Sequence, residues 1–198
     1  MSALRRLGAA TVWLTLAAGA VGAVRQRREA EQVRAGTRVA AGPAGEVPPA
    51  RPAAPLAERV ANWTPARPRT AAGRLLAAVW AAPLSVAGLG LCLAGRGRPR
   101  WSSEHGALVC TGVGGISGAL LARVGAEANA VGQVIVCRAE DPPAVLLAHE
   151  TGHVRQAERL GPLLALLYPW WSARYGYRDH PVERGARAAA RAWADRPR

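Results

Sequence analysis

Two histidines and a glutamate stand in His149-Glu150-Thr151-Gly152-His153, a spacing that can do chemistry. On a helix, residues i and i+4 share one face a turn apart, so both imidazoles reach one cation. Glu150 then projects close enough to take a proton from water activated at that cation. The plainer alternative is an amphipathic helix whose histidines are ordinary core residues. Two histidines on a core face, with a mid-helix glycine costing about 1 kcal/mol relative to alanine, make that alternative poor. Two imidazoles and a carboxylate suit zinc best.

A third ligand must come from elsewhere. The best source is Tyr177-Arg178-Asp179-His180-Pro181-Val182-Glu183-Arg184. Pro181 at a helix start makes His180 the N-cap and Glu183 the third helical residue. Glu183 is the first candidate, with His180 the alternative metal ligand and Asp179 a further rival. A glutamate there also suits the backbone N–H groups and the positive helix end without any metal. Arg187, one turn on, can orient Glu183 from behind.

The segment His-Glu-x-Gly-His followed by Val154 resembles the active-site helix of the zincin metallopeptidases. The short spacing to a third histidine, found in metzincins, is missing, so the resemblance is gluzincin-like and implies glutamate as third ligand from a downstream helix. Arg155 departs from the apolar residue that the extended zincin pattern prefers. Residues Ala148–Arg187 also resemble a group of small bacterial membrane-associated HExxH proteins. These share the order of HExxH helix, Gly-Pro break and Tyr-Arg-Asp-x-Pro-x-Glu-Arg segment. The zincin resemblance implies a strand upstream of the helix, here Gly132–Arg138, along which an extended substrate lies.

The elements that must hold these residues are legible in part. Asp141-Pro142-Pro143 reads as a helix start with Asp141 as cap, and Leu160-Gly161-Pro162 as its stop. A helical wheel puts Val145, His149, Gly152, His153, Gln156 and Leu160 on the inner face. It puts Thr151, Arg155, Glu158 and Arg159 toward solvent. Ala107–Thr111 and Gly132–Arg138 read as short strands. Gly112, Gly114, Gly115 and Gly118 between them read as turns, since no phosphate-loop lysine follows. With three cysteines and no CxxC, a disulfide framework and a thiolate zinc site are both excluded; Cys110 and Cys137 can face each other on paired strands as small hydrophobes. Pro162–Tyr177 is too short to span a bilayer and either covers the site or lies at the membrane interface. Tyr168, Tyr175 and Tyr177 are equivalent candidates for an oxyanion-stabilising hydroxyl.

The rest of the chain is a membrane pattern. Leu7–Val24 is an 18-residue apolar stretch, about 27 Å as a helix, with arginines on both sides. Leu75–Ala94 is a second, closing on Arg96, Arg98 and Arg100. Between them residues 25–72 are rich in Pro, Ala and Arg and read as a mostly disordered linker, with 25–35 a candidate short charged helical extension. The net charge of +13 is carried wholly by arginine and concentrates beside these segments. Nucleic acid is excluded as a partner by the scarcity of stacking aromatics there; the bilayer is the expected partner. The expected architecture is therefore α+β: a minimal zincin-like domain at 102–198 behind one or two transmembrane helices, 1–24 (anchor or signal) and 75–94. The expected function is membrane-anchored, zinc-dependent hydrolysis of an unidentified peptide or protein, with Glu150 as the catalytic base. A non-catalytic membrane protein with a structural zinc site is one alternative, and a metal-free membrane-tethered binding module the other.

Overall fold

Val134-Ile135-Val136-Cys137 is apolar at every position, the mark of a strand covered on both faces. In the computed structural model, which describes residues 2–36, 42–45 and 54–196 (for 2–14 and 16 the backbone alone), this run is one of the two inner strands of a mixed sheet. The elements in order are α1 (Ser2–Arg34), α2 (Pro55–Ala61), α3 (Ala71–Ala94), β1 (Arg98–Ser102), β2 (Ala107–Thr111), α4 (Gly115–Arg123), β3 (Ala128–Val131), β4 (Val134–Cys137), α5 (Ala144–Leu160), α6 (Leu163–Tyr175) and α7 (Pro181–Ala194). The four strands lie in the order β1-β2-β4-β3. β2 and β4 are parallel, and the outer pairs are antiparallel.

Alternation along the strands divides the core into two layers. Val134 and Val136 join Cys92, Cys110, Val113 and Leu121 beneath α3 and α4. Ile135 and Cys137 join Ala107, Val109 and Val154 beneath α5. Cys92 and Cys110 form a disulfide between α3 and β2, which leaves Cys137 as the free, buried thiol among the described residues. The expectation that Cys110 and Cys137 face each other as small hydrophobes is corrected: Cys110 is bonded to Cys92, and Cys137 lies in the other core layer. Cys92 comes from outside the strands, so no strand pattern could pair it.

α3 meets the domain through a stripe of small residues, Ala77, Ala81, Gly88 and Cys92. A Cβ on Gly88 would lie 2.6 Å from the Val131 carbonyl oxygen, so only glycine permits this approach. Ser85 accepts from the Gln133 amide at 2.9 Å, and the Trp80 indole donates to the Arg159 carbonyl at 3.2 Å. The other side of α3 exposes Leu75, Leu76, Val79, Val86 and Leu93. Only 22% of its most apolar stretch is buried, and α3 is long and apolar enough to cross a membrane.

α1 continues ten residues past the expected end of the first apolar stretch, whose leading side chains lie outside the described residues. It runs along α6, where Gly19 meets Pro169 and Gly22 meets Ser172. Arg25 donates to the Ala173 carbonyl, and Glu29 accepts from the Arg178 amide. The linker also differs from expectation over its described second half. α2 is anchored by a two-pronged ion pair between Glu58 and Arg184, at 2.8 and 2.9 Å. The lone Ala57 and Ala61 faces are too small to announce this helix by periodicity.

Candidate metal centre

α5 begins at Ala144 with Pro143 as its cap and no side-chain cap bond. Asp141 therefore stands outside the helix; two consecutive prolines push the start two residues on. The end at Leu160 with Gly161 at φ 52° is as expected. The helix lies over β3 and β4 with His149, Glu150 and His153 all buried. α7 crosses against it at Gly152, where an added Cβ would sit 3.0 Å from the Ala186 Cα. That approach brings the first turn of α7 over the two histidines.

His149, His153 and Glu183 converge, with one ligand atom from each lying within 4.8 Å of the others. His149 Nε2 is 3.3 Å from Glu183 Oε2, and His153 Nε2 is 3.4 Å from Glu183 Oε1. The partners of the other ring nitrogens fix the tautomers. His149 Nδ1 lies 2.9 Å from the Pro43 carbonyl, which only accepts, so Nδ1 carries the proton. His153 Nδ1 lies 2.9 Å from Gln156 Oε1, and Gln156 donates its amide to the Val182 carbonyl. With their Nδ1 atoms so engaged, both rings turn Nε2 toward the carboxylate. Glu183 Oε2 finds no hydrogen-bond donor among the described residues. Two imidazole nitrogens and a carboxylate facing one another in a buried space are stabilised by positive charge between them. A proton on one ring answers part of this. A divalent ion held by His149, His153 and Glu183 would answer all of it.

The electrostatics of the cluster couple the imidazoles to the carboxylate. Burial opposes charge on His153, but the Glu183 carboxylate outweighs it and raises the pKa from 6.5 to about 9. Burial likewise opposes charge on Glu183, and the two imidazoles outweigh it, holding the carboxyl well below its usual range. Tyr168 donates to Glu183 Oε1 at 2.7 Å and so aims the carboxylate. This engages the Tyr168 hydroxyl. Tyr175 is remote, its hydroxyl near Ala54 and Arg174.

The other candidates fall differently. His180 is the N-cap expected, its Nδ1 accepting from the Val182 amide at 3.2 Å while Nε2 donates to the Tyr168 carbonyl at 3.1 Å. Both nitrogens are thereby engaged by backbone, and burial lowers its pKa to about 4. Arg187 donates to the Arg178 carbonyl and covers the Tyr177 ring rather than bonding Glu183. Arg155 and Glu158, expected in solvent, are buried as an ion pair at 2.7 Å. The distant His105 carbonyl accepts from Arg155, and Gln133 donates to Glu158. Tertiary cover from other segments overrides the wheel there.

Glu150 is buried, with Oε2 lacking a hydrogen-bond partner among the described residues. Burial raises its pKa, opposed by the two imidazoles and by a hydrogen bond from the Ala130 backbone. With His149, Pro43 and Tyr177 it lines a cavity of about 360 Å³, walled by the end of α1 and residues 124–128. A second cavity of about 380 Å³ lies across α5 over Gly152 and Arg155, and none of the three donors lines it.

β4 is paired on both sides and so has no edge to offer; β3 is the outer strand. The Arg138 amide donates to the Glu127 carbonyl. By antiparallel alternation, Ala128 and Ala130 therefore turn their backbone groups away from β4.

Gln156 was within reach of sequence reasoning, one turn after His153 on the same face. Tyr168 and Pro43 carry no local signal. No known protein family, curated protein or solved structure matches the chain.

Proposed function

We propose that this protein is a membrane-anchored, zinc-dependent peptidase whose α+β domain is zincin-like. The observation that carries the reading is the convergence of two buried imidazole nitrogens and a buried carboxylate within coordinating reach of one point. Two imidazoles and one carboxylate are a donor set for zinc, and three protein ligands leave a fourth position for chemistry. When bound there, zinc supplies Lewis acidity toward a carbonyl and toward water. Glu150 takes the proton from the attacking water and passes it to the leaving amine, a task suited to a carboxyl of raised pKa. The outward backbone groups of Ala128 and the Ala130 carbonyl offer an extended peptide partners beside Glu150, to which the Ala130 amide is already bonded. Tyr177, on the cavity wall, hydrogen-bonds Glu183 as Tyr168 does, so both hydroxyls orient the carboxylate.

α3, with α1 alongside α6, forms the anchor. α6 exposes Leu163, Leu166 and Trp170, a composition suited to the bilayer interface. The Cys92–Cys110 disulfide favours an oxidising compartment for the domain.

The test is elemental analysis of the purified full chain, with peptide hydrolysis measured beside it. About one zinc per chain, lost in His149→Ala, with hydrolysis abolished in Glu150→Gln while zinc is retained, supports the reading. Zinc that no substrate or Glu150 variant responds to makes the site structural.

A further inference from the structure

The residue that fixes His149 comes from 106 positions away. Pro43 lies in a turn closed by the Gly45 amide on the Gly42 carbonyl at 2.9 Å. The Gly45 carbonyl in turn accepts from Arg191 Nη1 at 3.1 Å. Arg191 stands on α7, two turns beyond Glu183 on the same helix. α7 therefore reaches the cluster twice, directly through Glu183 and again through the turn that holds the His149 proton on Nδ1.

We propose that Arg191 is a positioning residue for the metal: it clamps the 42–45 turn so that the Pro43 carbonyl keeps His149 Nε2 bare and aimed at the ion. This rests on the metal reading above. Proline suits the task, since its fixed φ stiffens the turn and its nitrogen has no proton to compete. Without the clamp, the turn is free to leave and the proton to move to Nε2. A protonated Nε2 cannot ligate. Outer partners of metal-bound histidines typically contribute 10–100-fold in affinity. The turn belongs to the linker joining α1 to α3, so this clamp also ties the ligand geometry to the anchor.

The test uses the full chain in nanodiscs as wild type, Arg191→Gln, Arg191→Lys and Pro43→Gly. In metal-free protein, ¹⁵N shifts report the His149 tautomer; chelator competition reports Zn²⁺ affinity; thermal melting reports folding. Wild type is expected to be Nδ1-protonated. Arg191→Gln should show mixed tautomers and bind Zn²⁺ about 10-fold more weakly, with Arg191→Lys recovering most of the loss. Pro43→Gly should shift both readouts the same way. Because both changes act through one carbonyl, their combination should cost less than the product of the two. Wild-type tautomer and affinity in Arg191→Gln overturn the clamp, as does an affinity loss that tracks melting with no tautomer change. A wild-type chain that takes up no Zn²⁺ removes the metal reading alone, and the tautomer population still decides the clamp.

Discussion

Replacing Glu183 with glutamine removes the charge from the cluster while keeping an oxygen for the Tyr168 hydroxyl. The structure sets the size of the effect. Against the pull of burial, Glu183 first and then Glu150 and Gln156 raise His153 from 6.5 to about 9, so the resulting coupling is an upper value for Glu183 alone. A difference of about 2.5 units corresponds to about 3 kcal/mol of net coupling. Because the folded-state pKa is raised, that stability is fully present below about 6.5 and is lost as pH rises through about 9. On the acid side Glu183 is held well below 4.5, so the coupling is full above 4.5 and fails as pH falls through the depressed range. Metal-free Glu183→Gln should thus be up to about 3 kcal/mol less stable than wild type at pH 6, and the gap should close by pH 10. Thermal unfolding of chelator-treated protein at pH 6, 8 and 10 measures it. A gap of constant size across this range would refute the coupling and point to ordinary packing. Zinc completes the check. Wild type should release about one proton per ion near neutral pH, and Glu183→Gln should bind on the order of 100-fold more weakly and release almost none.

Three further outcomes follow from the same geometry. Glu150→Gln should retain zinc and lose hydrolysis by roughly 10²- to 10⁴-fold. Its metal-free melting temperature at pH 7 should be equal or higher, because burial disfavours the charged carboxylate it removes; a clear drop would count against a catalytic placement. Gly152→Ala should cost about 1–3 kcal/mol by pushing Ala186 and α7 away, with weaker zinc binding read by chelator competition. Alkylation of the denatured, non-reduced chain should label one cysteine, and reduction should expose two more. Three labels without reduction would remove the disulfide and with it the argument for an oxidising compartment.

What the sequence disclosed follows a physical line between near and far. The i, i+4 histidines, the glycine stop at Gly161 and the proline start at Pro181 are local, and all stand where their neighbours dictate. The buried strand β4 was legible because full burial leaves no polar position. β1 and β3 were not, since exposed Arg98–Ser102 and the four residues Ala128–Val131 carry too little pattern. The reading of Arg155 as solvent-facing failed because a wheel knows only its own helix. The His105 carbonyl and Glu158 together make burial of that guanidinium affordable.

The same division explains why the centre could only be half foreseen. Helical spacing alone delivers two imidazoles to one face, but it says nothing of which nitrogen is bare. That is decided by Pro43, far upstream, and by Gln156, one turn away. The carboxylate arrives because Gly152 lets α7 come close enough to lay Glu183 across both rings. A glycine in mid-helix, unfavourable for the helix by about 1 kcal/mol, is thus best understood through the neighbour it admits. The two histidines, the glycine between them and the carboxylate beyond form one arrangement, in which the imidazoles on α5 meet the carboxylate at the distance that residue 152 allows.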